Sequence, residues 1–217
     1  MDVIFYLSSK KNKKILSLTI LIRLPYMTDK FKNKYRIPSA RAGWWDYGNN
    51  AAYFITICTA HRKNYFGKIV NGEMLLSEIG VITKSEWLKT PKLRHDMNLR
   101  LNEFIVMPNH FHGIICIDGN QYNCRRDAIH RRDAMHCVST NLSYKNKFGV
   151  QSKNLASIIR GFKIAVTTYA RKHNIDFKWQ SRFHDHIIRN EYEYQHIANY
   201  IINNPANWKD DKFHTNK

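Results

Sequence analysis

The chain has 217 residues, enough for one domain with a full core plus extensions. With 43% hydrophobic and 13% aromatic residues it is not a disordered chain. Lys and Arg number 35 against 17 Asp and Glu, and the net charge of +18 points to a polyanionic partner. Nucleic acid comes before an anionic membrane, because the sequence carries no long basic amphipathic helix.

Residues 1–34 read as an N-terminal extension outside the fold, and Met27 is the expected natural start. The apolar run from Ile15 to Ile22 is cut off by Arg23. A bilayer span takes about 20 residues, and no small-residue cleavage site follows the run. None of the four cysteines forms a C-x-x-C pair, and Cys58 and Cys116 lie in apolar strand-like runs. Reduced core thiols imply a cytoplasmic protein with no membrane attachment.

Residues 35–217 read as a single domain. From Tyr35 to Asn50 aromatics interleave with Arg36, Arg41, Trp44, Trp45 and Tyr47, a composition that suits base stacking and phosphate contact or, equally, closure of a core. Tyr53 to Cys58 is β-branched and aromatic, the first expected strand. Ser77 caps a helix that Thr90-Pro91 should stop. Leu99 to Met107 and His110 to Ile117 form two strands joined at Pro108-Asn109. Residues 118–147 are an insertion holding the tandem repeat Arg125 to His130 and Arg131 to His136. The spacing of Cys124, His130, His136 and Cys137 matches no common zinc site, so the segment reads as a solvated, mobile loop. Leu155, Ile158, Ile159, Phe162, Val166 and Tyr169 keep helical spacing, with Arg160 and Lys163 on the flanks. Phe177 to Ile188 is strand-like, bordered by Arg182 and Arg189, and a last helix from Asn190 or Glu191 to Asn203 is closed by Pro205.

This order predicts an α+β chain with a ferredoxin-like, split βαβ antiparallel sheet, helices on one face, and a further C-terminal helix. The hairpin at His110 then lies centrally. Successive strand residues point to opposite faces, so His110 and His112 project together while Phe111 faces the core. Tyr200 and Asn204 share a helix face, together with His196, which reads as a surface histidine. Two imidazoles and the Asn204 carbonyl oxygen can hold a cation that polarises a phosphate, with Tyr200 as attacking group. Mixed nitrogen and oxygen donors beside water and phosphate suit Mg²⁺ or Mn²⁺. The bland alternatives are half-buried structural histidines and a packed helix tyrosine.

Several motifs carry a family resemblance from Tyr35 to Trp208. They are Trp45-Asp46-Tyr47, Tyr53 to Thr59, Met107-Pro108-Asn109-His110-Phe111-His112-Gly113, Ser157 to Lys163, Trp179-Gln180 with Phe183 to Arg189, and Tyr200-Ile201-Ile202-Asn203-Asn204-Pro205. In this order the chain resembles the HUH single-tyrosine transposases, most closely the REP-associated tyrosine transposases of bacteria. The resemblance implies that His110 and His112 bind a divalent metal with Asn204, and that Tyr200 is the nucleophile. It also implies cleavage of single-stranded DNA at the foot of hairpins, leaving a 5′-phosphotyrosine and a free 3′-OH, by a monomer or homodimer. Expected DNA contacts are Arg36, Trp45, Tyr47, Arg160, Lys163, Arg182 and Arg189. Two further readings compete: a hairpin-binding protein that does not cut, and a metal-dependent nuclease using water. His184 and His186 alternate like the first pair but lack an equivalent of Tyr200 and Asn204, which leaves them a structural or DNA-contacting role.

Overall fold

A computed structural model describes residues 41–123 and 152–214. The expected extension, Arg36, the tandem repeat, and Cys124, His130, His136 and Cys137 lie outside the described residues. The elements are β1 (Ala51–Cys58), β2 (Gly67–Val70), β3 (Glu73–Leu76), α1 (Glu78–Leu93), β4 (Leu99–Met107), β5 (His110–Ile117), α2 (Leu155–Lys172), β6 (His184–Ile188) and α3 (Glu191–Asn203). A short 3-10 turn at Trp208–Asp210 follows.

Four strands form one antiparallel sheet in the order β4-β5-β1-β6, the ferredoxin-like arrangement. Alternation along β1 and β5 divides its two faces. Tyr53, Ile55, Ile57, Phe111, Ile115 and Ile117 pack under α1 and α2, against Trp87, Leu155, Ile158, Phe162 and Val166. The other face carries Phe54, Ile114 and Ile188 under Ala198 and Ile201 of α3. Thr56 pairs with His112 and Cys58 with His110, so the two histidines lie on the α3 face of the most buried strand.

Local chemistry fixes α3 on this face. Asn190 accepts a hydrogen bond from the Glu193 N–H at 2.8 Å, capping the helix, and the Glu193 carboxylate takes the Arg189 N–H at 2.8 Å and meets His186 Nε2 at 2.7 Å. A register shift in β4 between Leu101 and Phe104 turns two neighbouring side chains toward α3. There the Asn102 amide donates to the Tyr194 hydroxyl, which donates to Glu103 at 2.7 Å.

Four boundaries differ from expectation. The β2–β3 hairpin was not anticipated, although Asn71-Gly72 is a strong turn signal. Both residues have positive φ, 52° and 79°, the backbone that a tight two-residue turn demands. The first strand begins at Ala51 rather than Tyr53. α1 passes through Pro91 to Leu93, because a proline in the last turn sacrifices little further hydrogen bonding. The stretch from Phe177 to Phe183 is not strand. Its Phe177 is a core residue, and Trp179 makes one isolated bridge to Thr59.

Candidate metal and tyrosine site

β5 supplies both imidazoles. His110 is 0% and His112 1% exposed. Their ring centroids lie 4.5 Å apart. Each has its Nδ1 on a protein partner: His110 on Asn109 Oδ1 at 2.9 Å, His112 on Thr56 Oγ1 at 2.8 Å. That leaves the Nε2 atoms for the site. His110 Nε2 is buried with no hydrogen-bond partner. Burial, reinforced by the other histidine, holds the His110 pKa well below its usual value, and burial lowers that of His112 to about 3. Both rings are therefore neutral near pH 7, the form that ligates metal.

α3 brings the phenol. The Tyr200 hydroxyl lies 3.3 Å from His112 Nε2 and 3.4 Å from Asp211 Oδ2, within one chain. Phe54 stacks on His112 and meets the Tyr200 ring edge-on, holding both. Burial and the Asp211 carboxylate push the Tyr200 pKa up to about 12. Asn204 keeps helical backbone despite preceding Pro205 and is buried. Its Nδ2 donates to Asp211 Oδ2 at 2.9 Å, and its Oδ1 is buried without a partner.

Asp211 completes the cluster and was absent from the sequence reading. Ligand atoms of His110, His112 and Asp211 all lie within 4.8 Å of one another, a spacing one cation can bridge. Its carboxylate is aimed by the Phe213 N–H, which donates to Oδ1 at 2.6 Å, while Phe213 packs 4.4 Å from His110. Trp208 and Phe213 lie on Met107 and anchor this segment. An Asp between Asp210 and Lys212, beyond the last helix, carries no local signal of such a role. The donor set fits a divalent cation: ligand atoms of two neutral imidazoles and a carboxylate converge, and His110 Nε2 and, on the neighbouring Asn204, Oδ1 are buried with no hydrogen-bond partner among the described residues.

The expected DNA contacts separate. Arg160, Arg182 and Arg189 are exposed. Trp45 and Tyr47 are corrected to core residues, 1% and 5% exposed, with no ring face for a base. Trp45 Nε1 donates to the Tyr53 hydroxyl, and Trp44, 50% exposed, is the outward ring. Lys163 is committed to the loop before β6, donating to the Gln180 and Arg182 carbonyls at 2.8 and 3.1 Å, and burial lowers its pKa to about 8. His196 is exposed on α3, His184 is exposed on β6, and His186 is tied to Glu193. Among the described residues no helix is long and apolar enough to cross a membrane.

No protein-family model matches the chain. An uncharacterized protein of Haemophilus influenzae is 36% identical over 178 residues, covering 81% of this chain and 92% of that protein. The chain belongs to the same family as that protein. Among solved structures, that of a REP-associated tyrosine transposase bound to a REP hairpin covers 81% of this chain and 77% of its own, with a TM-score of 0.50 at 18% identity. This family member thus has the fold of that transposase.

Proposed function

We propose that this protein is a metal-dependent tyrosine transposase that cuts and rejoins single-stranded DNA at hairpins. The observation that supports it most is the convergence of the Tyr200 hydroxyl, His112 Nε2 and the Asp211 carboxylate, beside the bare His110 Nε2 and Asn204 Oδ1. The fold shared with a transposase solved on a REP hairpin, and a net charge of +18, favour the same substrate class.

His110, His112, Asp211 and Asn204 would hold the cation. A divalent cation, when bound, supplies Lewis-acid polarisation of the scissile phosphate and positive charge beside the phenol. The mixed nitrogen and oxygen donors suit Mn²⁺ or Mg²⁺. The chain's own residues do the rest. Tyr200 oxygen attacks phosphorus, a bond to tyrosine forms, and the bond to the 3′ oxygen breaks; that oxygen takes a proton from solvent, leaving a 5′-phosphotyrosine and a 3′-OH. Asp211 Oδ2, already the acceptor of the Tyr200 hydrogen bond, is placed to take the phenol proton. With its pKa near 12 the phenol is a poor nucleophile alone, so positive charge at the site is required. The covalent bond conserves the phosphodiester's energy for rejoining.

The test is incubation with labelled single-stranded hairpins from the DNA flanking the gene, with Mn²⁺ or Mg²⁺, followed by a denaturing gel. The expected product is a protein-linked strand that disappears in EDTA and with Tyr200→Phe, while hairpin binding persists. An adduct surviving either treatment would refute the reading. Cleavage by Tyr200→Phe without an adduct would instead favour water as nucleophile, and retention without nicking by the wild type would favour a binding protein.

A further inference from the structure

Asn109, in the turn ahead of β5, is 0% exposed and uses every polar atom of its amide. Its Nδ2 lies 2.8 Å from the Phe213 carbonyl oxygen and 3.2 Å from that of Arg62. Carbonyl oxygens only accept, so the amide end between them is the NH₂ end. The opposite end, Oδ1, is also an acceptor only, and it faces His110 Nδ1 at 2.9 Å. An acceptor in that position requires a proton on Nδ1. A neutral imidazole carries one N–H, which leaves Nε2 as a bare lone pair. That nitrogen is the buried, unpartnered atom of the His110, His112 and Asp211 cluster.

The clamp on Asn109 comes from two distant places. Arg62 and His61 before it both have left-handed backbone, φ 54° and 55°, in the turn that presents the Arg62 carbonyl. Phe213 belongs to the segment that carries Asp211 and donates its own N–H to that carboxylate. His112 has no equivalent device in its side-chain partner. The Thr56 hydroxyl at 2.8 Å can donate or accept, so that bond alone does not set the tautomer, and the Ile55 backbone also hydrogen-bonds the ring.

We propose that Asn109 is a positioning residue: its amide, oriented by the Arg62 and Phe213 carbonyls, locks His110 in the Nδ1–H tautomer and so makes Nε2 a permanent ligand atom. The proposal rests on reading the cluster as a metal centre. It assigns Asn109 no contact with substrate or cation, and makes it part of the site's affinity instead.

The ¹⁵N-labelled full-length protein without metal tests the tautomer directly. Long-range ¹H–¹⁵N spectra should show His110 protonated at Nδ1, and a proton on Nε2 overturns the proposal with no variant needed. Asn109→Leu, similar in volume and without an acceptor, should release the tautomer and raise the Mn²⁺ dissociation constant about 10- to 100-fold, read by electron paramagnetic resonance titration. The wild-type spectrum decides the tautomer without any variant, which covers the case of a poorly folding leucine variant. Unchanged tautomer and Mn²⁺ affinity in a folded Asn109→Leu overturn the proposal. A wild type that shows Nδ1–H yet binds no Mn²⁺ overturns the metal-centre reading instead, so the two failures are distinguishable.

Discussion

Burial holds His110 and His112 neutral, with His112 adding to the effect at His110, and this has a measurable cost in acid. A group whose folded pKa lies below its unfolded value near 6.5 favours folding fully above 6.5. That advantage is lost as pH falls toward the folded value, about 3 for His112. Each pH unit between 6.5 and the folded value costs about 1.4 kcal/mol, so at pH 5 His112 alone costs about 2 kcal/mol and His110 adds in the same direction. Urea unfolding in EDTA at pH 7.5 and pH 5 should show a loss of at least this order, and His112→Gln should reduce the dependence. A flat profile in the wild type would show that the rings are not held neutral. Tyr200 runs the other way: with its pKa raised, it favours folding below pH 10 and ceases to do so as pH passes about 12.

At the scale of the element, α3 turns an ordinary amphipathic helix into the carrier of the phenol. Ala198 and Ile201 bury its inner stripe on Ile114 and Ile188, which leaves Tyr200 half-exposed at the rim above His112. The helix starts at Asn190, whose side chain takes the Glu193 N–H. Asn190→Ala should cost about 1 kcal/mol in urea unfolding. Because the cap also orients Glu193 toward β6, the same variant should reduce the rate of adduct formation while leaving Mn²⁺ affinity close to wild type. Gly80 in α1 shows how tight the opposite face is: a Cβ there would clash with the Phe66 carbonyl oxygen.

For the whole molecule, the proposed cation joins three regions of the chain: β5 through His110 and His112, the end of α3 through Asn204, and the following segment through Asp211. Anything that binds the folded state alone stabilises it by mass action, about 2.7 kcal/mol at a hundredfold excess over Kd. Mn²⁺ should therefore raise the Tm in a dose-dependent way, EDTA should reverse it, and His110→Ala should abolish the shift. An identical shift in His110→Ala would place the ion elsewhere. The surplus of 18 positive charges predicts a second global property. Hairpin affinity should fall steeply and linearly on a log–log plot against salt, because bound phosphates release counterions. A shallow slope would mean that few of those charges meet the backbone.

The sequence by itself determined the sheet, its helices and the central placing of the histidine pair. Alternation and helical spacing are local, so Phe111 inward with His110 and His112 outward is written in three consecutive residues. Tyr200 and Asn204 were legible for the same reason, four apart on one helix. Even the missed β2–β3 hairpin had a local mark at Asn71-Gly72. What the tertiary structure decided lies where partners are distant in sequence. Trp45 and Tyr47 have the composition of a stacking surface, but burial is set by their neighbours Tyr53, α2 and the sheet. Lys163 reads as a free cation until the Gln180 and Arg182 carbonyls close on it. Asp211 and Asn109 owe their positions to chain closure, since the segment after α3 folds back onto the turn before β5 and brings a carboxylate, a backbone carbonyl and an imidazole together. No periodicity encodes such a meeting, because its energy comes from packing Trp208 and Phe213 on Met107, about a hundred residues away.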